Sequence, residues 1–173
     1  MKQKLLFALM LFLVAFQTKY PVILILQEKA RGCDVIFTEY YFGNPKYYNS
    51  HLKIGKKYIS PTIEQIQRAE KIFIEQYNNK QVKMHKEYPD RFPKPKLVDV
   101  KKHFKYYKRQ YIGYIDNNND TLIGINLMNF KHKRKADKMF EDWDKEIFTG
   151  FGTYYEKNFT NETVNLNKKK IVY

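Results

Sequence analysis

One amphipathic stripe governs what this chain can fold into. Ile63, Ile66, Ala69, Phe73 and Tyr77 recur at helical spacing, and Glu64, Gln67, Arg68, Lys71 and Glu75 occupy the opposite face. The start is marked twice over. Ser60 can cap the helix with Pro61 at its first position, or Thr62 can cap it with Gln65 closing a capping box. Asn78-Asn79 marks an end, so the spacing predicts a helix over 61–78. A helix with a single apolar stripe has to bury that stripe against something broad, and a sheet is the natural partner.

The segments around this helix supply strands. Residues 34–42 are rich in β-branched and aromatic side chains and read as a strand, broken by Gly43-Asn44-Pro45; residues 47–58 read as an irregular strand. Residues 80–98 carry six basic residues with Pro89, Pro93 and Pro95, which predicts a basic surface loop. Val100, Phe104 and Tyr107 suggest a short helix. Strands are expected at 110–115 and 122–130, joined by Asp116-Asn117-Asn118-Asn119-Asp120, whose Asn and Asp residues tolerate left-handed backbone angles. In the second of these, Ile123, Ile125 and Leu127 share the face expected to be buried. Residues 131–135 form a basic turn, and Ala136, Met139, Phe140 and Trp143 a short helix. Strands follow at 147–155 and 162–166, with Lys168-Lys169-Lys170 in a polar tail. No internal repeat or flexible linker appears. The predicted class is α+β: one main helix on a curved antiparallel sheet, cystatin-like or related, preceded by a signal-like helix.

Composition bounds the function. The chain has 173 residues, 43% hydrophobic and 17% aromatic, enough for one domain with a real core and incompatible with disorder. A single cysteine, Cys33, excludes an intramolecular disulfide scaffold and a cysteine-rich zinc module. The net charge is +14, but 27 of the 32 basic residues are Lys and only 5 are Arg. Lys is a hydrated point charge suited to a solvated surface, whereas Arg is the residue of bidentate phosphate recognition.

The amino terminus reads as an address. Met1-Lys2-Gln3-Lys4 is a basic start, and 5–16 is an uninterrupted apolar run. Twelve helical residues rise about 18 Å, short of a hydrocarbon core of about 30 Å. The expected organisation is a signal peptide over 1–17 and one α+β domain over 18–173, exported to the periplasm or cell surface. The alternative is a membrane anchor, with the second apolar run 22–26 extending the first; contact with the membrane would then be through the amino terminus alone.

Motifs of chemistry fail when tested. Asp116, Asn118 and Asp120 match the first ligand positions of a calcium loop, but Thr121 replaces the required Gly and Leu127 the bidentate Glu. His51, His85, His103 and His132 form no i, i+4 pair. Neither Ser50 nor Ser60 sits in a nucleophile elbow, and the seven glycines make no phosphate loop. Glu141, Asp142, Asp144 and Glu146 surround Trp143 and read as the wet side of a helix rather than as a hydrolytic pair. No catalytic residue, metal ligand or cofactor is assigned. The remaining candidates are cations for an anionic ligand: Lys101, Lys102, Lys105, Lys108 and Arg109, interleaved with His103, Phe104, Tyr106 and Tyr107, and the cluster Lys131, Lys133, Arg134 and Lys135. Stacking rings beside cations are the chemistry of single-strand binding.

Arg109-Gln110-Tyr111-Ile112-Gly113, the partner segment Ile123-Gly124-Ile125-Asn126, and Trp143 before Gly150-Phe151-Gly152 resemble a group of small exported bacterial proteins. That group shares an Arg-Gln-Tyr-x-Gly strand, a partner strand ending in Ile-Asn, and a Trp before a glycine-containing last hairpin. The resemblance covers 60–166 and departs from the group's Asp-Gly-Gly at 149–152. It implies export and a helix-plus-sheet fold, and carries over no catalytic residues. The expectation is therefore an exported, non-enzymatic binding or inhibitory module whose partner is a protein or another component of the cell envelope. The alternative is a basic protein that binds nucleic acid or an anionic surface.

Overall fold

The computed structural model describes residues 22–26, 33–44, 56–92, 94–95, 97–104, 106–150 and 152–172. The predicted signal over 1–17 and Lys105 lie outside them. The elements run β1 (Val22–Leu26), β2 (Cys33–Phe37), α1 (Glu39–Gly43), β3 (Lys57–Ile59), α2 (Ile63–Glu87), α3 (Val100–Phe104), β4 (Tyr107–Ile115), β5 (Thr121–Asn129), α4 (Lys133–Met139), α5 (Thr153–Asn158), β6 (Phe159–Asn165) and β7 (Lys170–Val172).

The class is α+β, with one long helix and an unclosed sheet of seven strands among the described residues. The sheet runs β1-β2-β4-β5-β6-β7 and is mixed, which corrects the all-antiparallel expectation. β2 pairs parallel with Arg109–Ile112 of β4, while β3 pairs antiparallel with Gly113–Ile115 on the same edge. A parallel pair needs a long crossover, and the crossover here carries α2. At the seam Gly113 is required: a Cβ there would stand 2.9 Å from the Ile59 carbonyl oxygen.

α2 begins as the sequence indicates. Thr62 Oγ1 accepts from the Gln65 N–H at 3.2 Å, and Gln65 Oε1 accepts from the Thr62 N–H at 2.9 Å, a complete capping box. It then continues nine residues past Asn78, so the loop expected from residue 80 begins only after Glu87. Asn78 does not end the helix because its amide serves another segment: Nδ2 donates to the Val98 carbonyl at 2.8 Å and Oδ1 accepts from the Val98 N–H at 3.3 Å. Three further expectations are corrected. The strand predicted over 34–42 stops at Phe37, and Glu39–Gly43 is helical; Thr38, fully buried, accepts from the Tyr41 N–H through its carbonyl. The strand predicted over 147–155 is a loop followed by α5. Lys168 and Lys169 lie in the turn into β7, and Lys170 opens that strand, so this stretch is not a tail.

Both faces of the sheet are covered. Ile36, Tyr111, Ile123, Ile125, Leu127 and Val164 pack under Ile66, Ala69 and Phe73 of α2. On the reverse face Val35, Phe37 and Met128 pack against Ala136, Phe140 and Trp143. β5, buried through Leu122–Met128, is therefore the central wall of two cores.

Candidate anion-binding face

The exposed cations of residues 131–138 sit on the reverse side of the sheet, where α4 packs on the second core. Ala136, fully buried, and Phe140, 1% exposed, fix the inner face of α4 against the second core. The polar residues around them face outward: Lys131, His132, Lys133, Arg134, Lys135 and Lys138 are all exposed. Asp137 is the one acid in this stretch and pairs with Lys133 at 2.6 Å. Between α4 and α5 lies a groove of about 460 Å³, bordered by His132 and Lys135 on one side and Thr153, Tyr154 and Lys157 on the other. Asn129 and Asn158 complete it, with Asn129 Nδ2 donating to Asn158 Oδ1 at 3.3 Å. The Lys135 ammonium stands 5.0 Å from the centre of the Tyr154 ring, a cation–π contact that holds it at the groove wall.

The other predicted cations are dispersed. Lys101 is exposed on α3, which also contains Lys102. Lys108 and Arg109 are neighbours in a strand and so point to opposite faces of the sheet. Lys108 is on the reverse face, its Nζ 4.2 Å from the Phe130 ring centre and 4.3 Å from Trp143. Arg109 lies under α2, 4% exposed. Its Nε donates to Asp34 Oδ1 at 2.9 Å, its NH1 donates to Glu70 Oε1 at 2.8 Å, and its guanidinium carbon stands 4.5 Å from the Phe104 ring centre. The Tyr111 hydroxyl donates to the same Glu70 oxygen. Burial alone would weaken the charge on Arg109, but Tyr111, Asp34 and Glu70 outweigh it and raise its pKa. Burial pushes the Tyr111 phenol well up, and Glu70 adds to that. This cluster is internal architecture, distinct from the surface on α4.

A second polar network lies on the reverse face and holds the chain that covers it. Gln110 Nε2 donates to the carbonyls of Trp143 and, at 2.7 Å, Glu146, while its Oε1 accepts from the Phe148 N–H at 2.9 Å and from Asn126 Nδ2 at 2.9 Å. Asn161 Nδ2 donates to Asn126 Oδ1. Three amides on adjacent strands thus fasten residues 143–148 to the sheet, which fixes Trp143 inward and carries the base of α4 with it. Of the acids around Trp143, Glu141, Asp142 and Glu146 are exposed and Asp144 is half-buried, and Asp142 pairs with Lys145 at 2.6 Å.

Asp116 uses its carboxylate as a turn device: Oδ1 accepts from the N–H groups of Asn118 at 2.8 Å and Asp120 at 2.9 Å, with Asn119 at φ 62°. No group of three or more potential metal ligands occurs among the described residues. No helix among them is long and apolar enough to cross a membrane. Lys138 and Lys157 were not singled out from the sequence. Lys138 follows Arg134 by four residues, so helical spacing puts it on the same face. Lys157 joins the groove from a separate element, and nothing local announces it. No family model, curated protein or solved structure matches the chain.

Proposed function

We propose that the chain is an exported, non-enzymatic binding module of the cell envelope, of the kind suggested by its resemblance to small exported bacterial proteins, and that it engages an anionic surface through the outer face of α4. The reading rests on one observation: five basic residues against a single acid over residues 131–138, all exposed, beside a groove that Lys157 closes from the far side. The preponderance of Lys suits a diffuse field of phosphate or carboxylate groups better than a single planar partner. Each cation near an anionic membrane surface contributes about 1 kcal/mol, so a handful of them gives useful affinity without a shaped pocket.

The test is co-sedimentation with vesicles of phosphatidylglycerol and phosphatidylcholine, compared with vesicles of phosphatidylcholine alone, over a salt series. Binding should require the anionic lipid, weaken as salt rises, and fall at least about tenfold in Lys131→Glu/Arg134→Glu. An unlabelled single-stranded oligonucleotide serves as competitor. Tighter binding to the oligonucleotide than to the vesicles would overturn the envelope reading in favour of nucleic acid, and binding unaffected by the double substitution would remove α4 as the contact face. Export is tested separately by fusing residues 1–25 to a reporter active only outside the cytoplasm; a silent reporter counts against it.

A further inference from the structure

On the opposite side of the sheet from the cationic face, a cavity of about 250 Å³ opens between α2, the segment that follows it and the ends of β4–β6. Its inner walls are Phe73, Phe104 and Leu127; Tyr77 and Tyr107 line its sides and Val98 its outer wall. Hydroxyl and amide groups share the lining with these apolar walls. The Tyr77 hydroxyl bonds the Thr160 side chain, and Gln81 contributes an amide. Glu156 and Lys157, both exposed and of opposite sign, stand at the rim, so the interior carries no fixed charge.

The outer wall is tied in place at two points. Asn78 clamps Val98 through both its amide atoms, and His85 Nδ1 is 2.7 Å from the Phe92 carbonyl oxygen. Both ties run from side chains of α2, so Phe92 and Val98 are held at fixed places beside that helix. Burial raises the pKa of both Tyr77 and Tyr107.

We propose that this cavity is a binding site for a small neutral ring compound, aromatic and carrying one hydroxyl or N–H group. Aromatic and aliphatic walls take the ring, and the Tyr77–Thr160 pair and the Tyr107 hydroxyl take its polar group. The volume lies below the roughly 300–1,000 Å³ of drug-sized sites, which limits the occupant to one or two fused rings. The site owes nothing to the cations of α4 and goes beyond the function proposed above.

Indole is the probe, titrated into the isotope-labelled chain and followed by amide chemical shifts. Saturable shifts are expected below about 1 mM, confined to residues 73–81, 98–107 and 127 and to Thr160, and unchanged by salt. Val98→Trp fills the cavity and should abolish them while leaving vesicle binding intact. Tyr77→Phe/Tyr107→Phe keeps the walls and should weaken indole about fivefold or more by removing the polar handles. Should Val98→Trp not fold, Thr160→Val gives the same reading through Tyr77. Shifts that never saturate, that map elsewhere, or that persist unchanged in the filled or hydroxyl-free variants overturn the proposal.

Discussion

Glu162 is a carboxyl group on the α2 side of β6, 6% exposed, bonded by the Lys80 ammonium, which also donates to the Val172 carbonyl at 3.3 Å. Burial raises its pKa above the ordinary 4.5, and the hydrogen bond and charge of Lys80 oppose the rise without cancelling it. The folded chain therefore holds this proton more tightly than the unfolded chain does. The stability it contributes is complete below the unfolded value and is lost as pH rises through the higher folded value. Urea unfolding from pH 4 to 7 should show the wild type losing stability relative to Glu162→Gln as pH climbs above 4.5, after which the difference levels off. A difference that is flat or of opposite sign would refute this. Arg109 meets the same cost of burial with a different outcome, because two carboxylates answer one guanidinium. Its role was hidden from the sequence for a definite reason. Asp34 and Glu70 lie 75 and 39 residues away, and only the start of β4 at Tyr107, rather than at Gln110, puts Lys108 and Arg109 on alternate faces. Read without that alternation, the two looked like parts of one basic patch.

Among the elements, α2 was the most legible, since its stripe and its capping box are both local properties. Its extra turns were not, because Asn78 reads as a terminator until its partner Val98 is known. The stretch 147–155 misled for another reason: it is rich in rings, but they contact one another rather than alternating across a sheet. Phe148 meets Phe140 at 5.0 Å, Tyr155 at 5.2 Å and Phe159 at 5.1 Å between ring centres. Gly150 exists to let these rings close. A Cβ there would lie 2.5 Å from a Phe148 ring atom and 2.7 Å from Tyr155 Cγ, and neither ring is a flexible chain end. Gly150→Ala should cost about 1–3 kcal/mol by chemical denaturation, the usual range for overpacking. Gly43→Ala is the control, because nothing lies within 4 Å of a Cβ at that helical position, and it should be neutral or stabilising. Equal effects at the two sites would show that the ring cluster yields easily and that Gly150 is not needed for its packing.

At the scale of the molecule, the order of strand, helix and further strands was readable, but the parallel join of β2 to β4 was not. Local alternation says which face is buried; it says nothing about which neighbour a strand meets or in which direction. The distribution of charge has the same character. Among the described residues Asp34 and Glu70 answer Arg109, and Glu162 answers Lys80, so these inward-facing clusters are close to balanced, while the chain as a whole carries an excess of +14. Such an excess repels itself, an effect felt over about 30 Å at 10 mM salt and only about 3 Å at 1 M. Lys131→Glu/Arg134→Glu lowers the net charge by four, from +14 to +10, at positions in or just before the first turn of α4, where a carboxylate also suits the helix dipole. The double variant should therefore melt at or above the wild-type temperature at 10 mM salt, with the gap closing by 1 M, while its binding to anionic vesicles is lost. Stability and binding would then move in opposite directions, as expected where cations are displayed for a partner and not for the fold. If instead the variant melts lower at low salt, Lys131 and Arg134 are held by favourable contacts within the protein, and the face of α4 is structural rather than a docking surface.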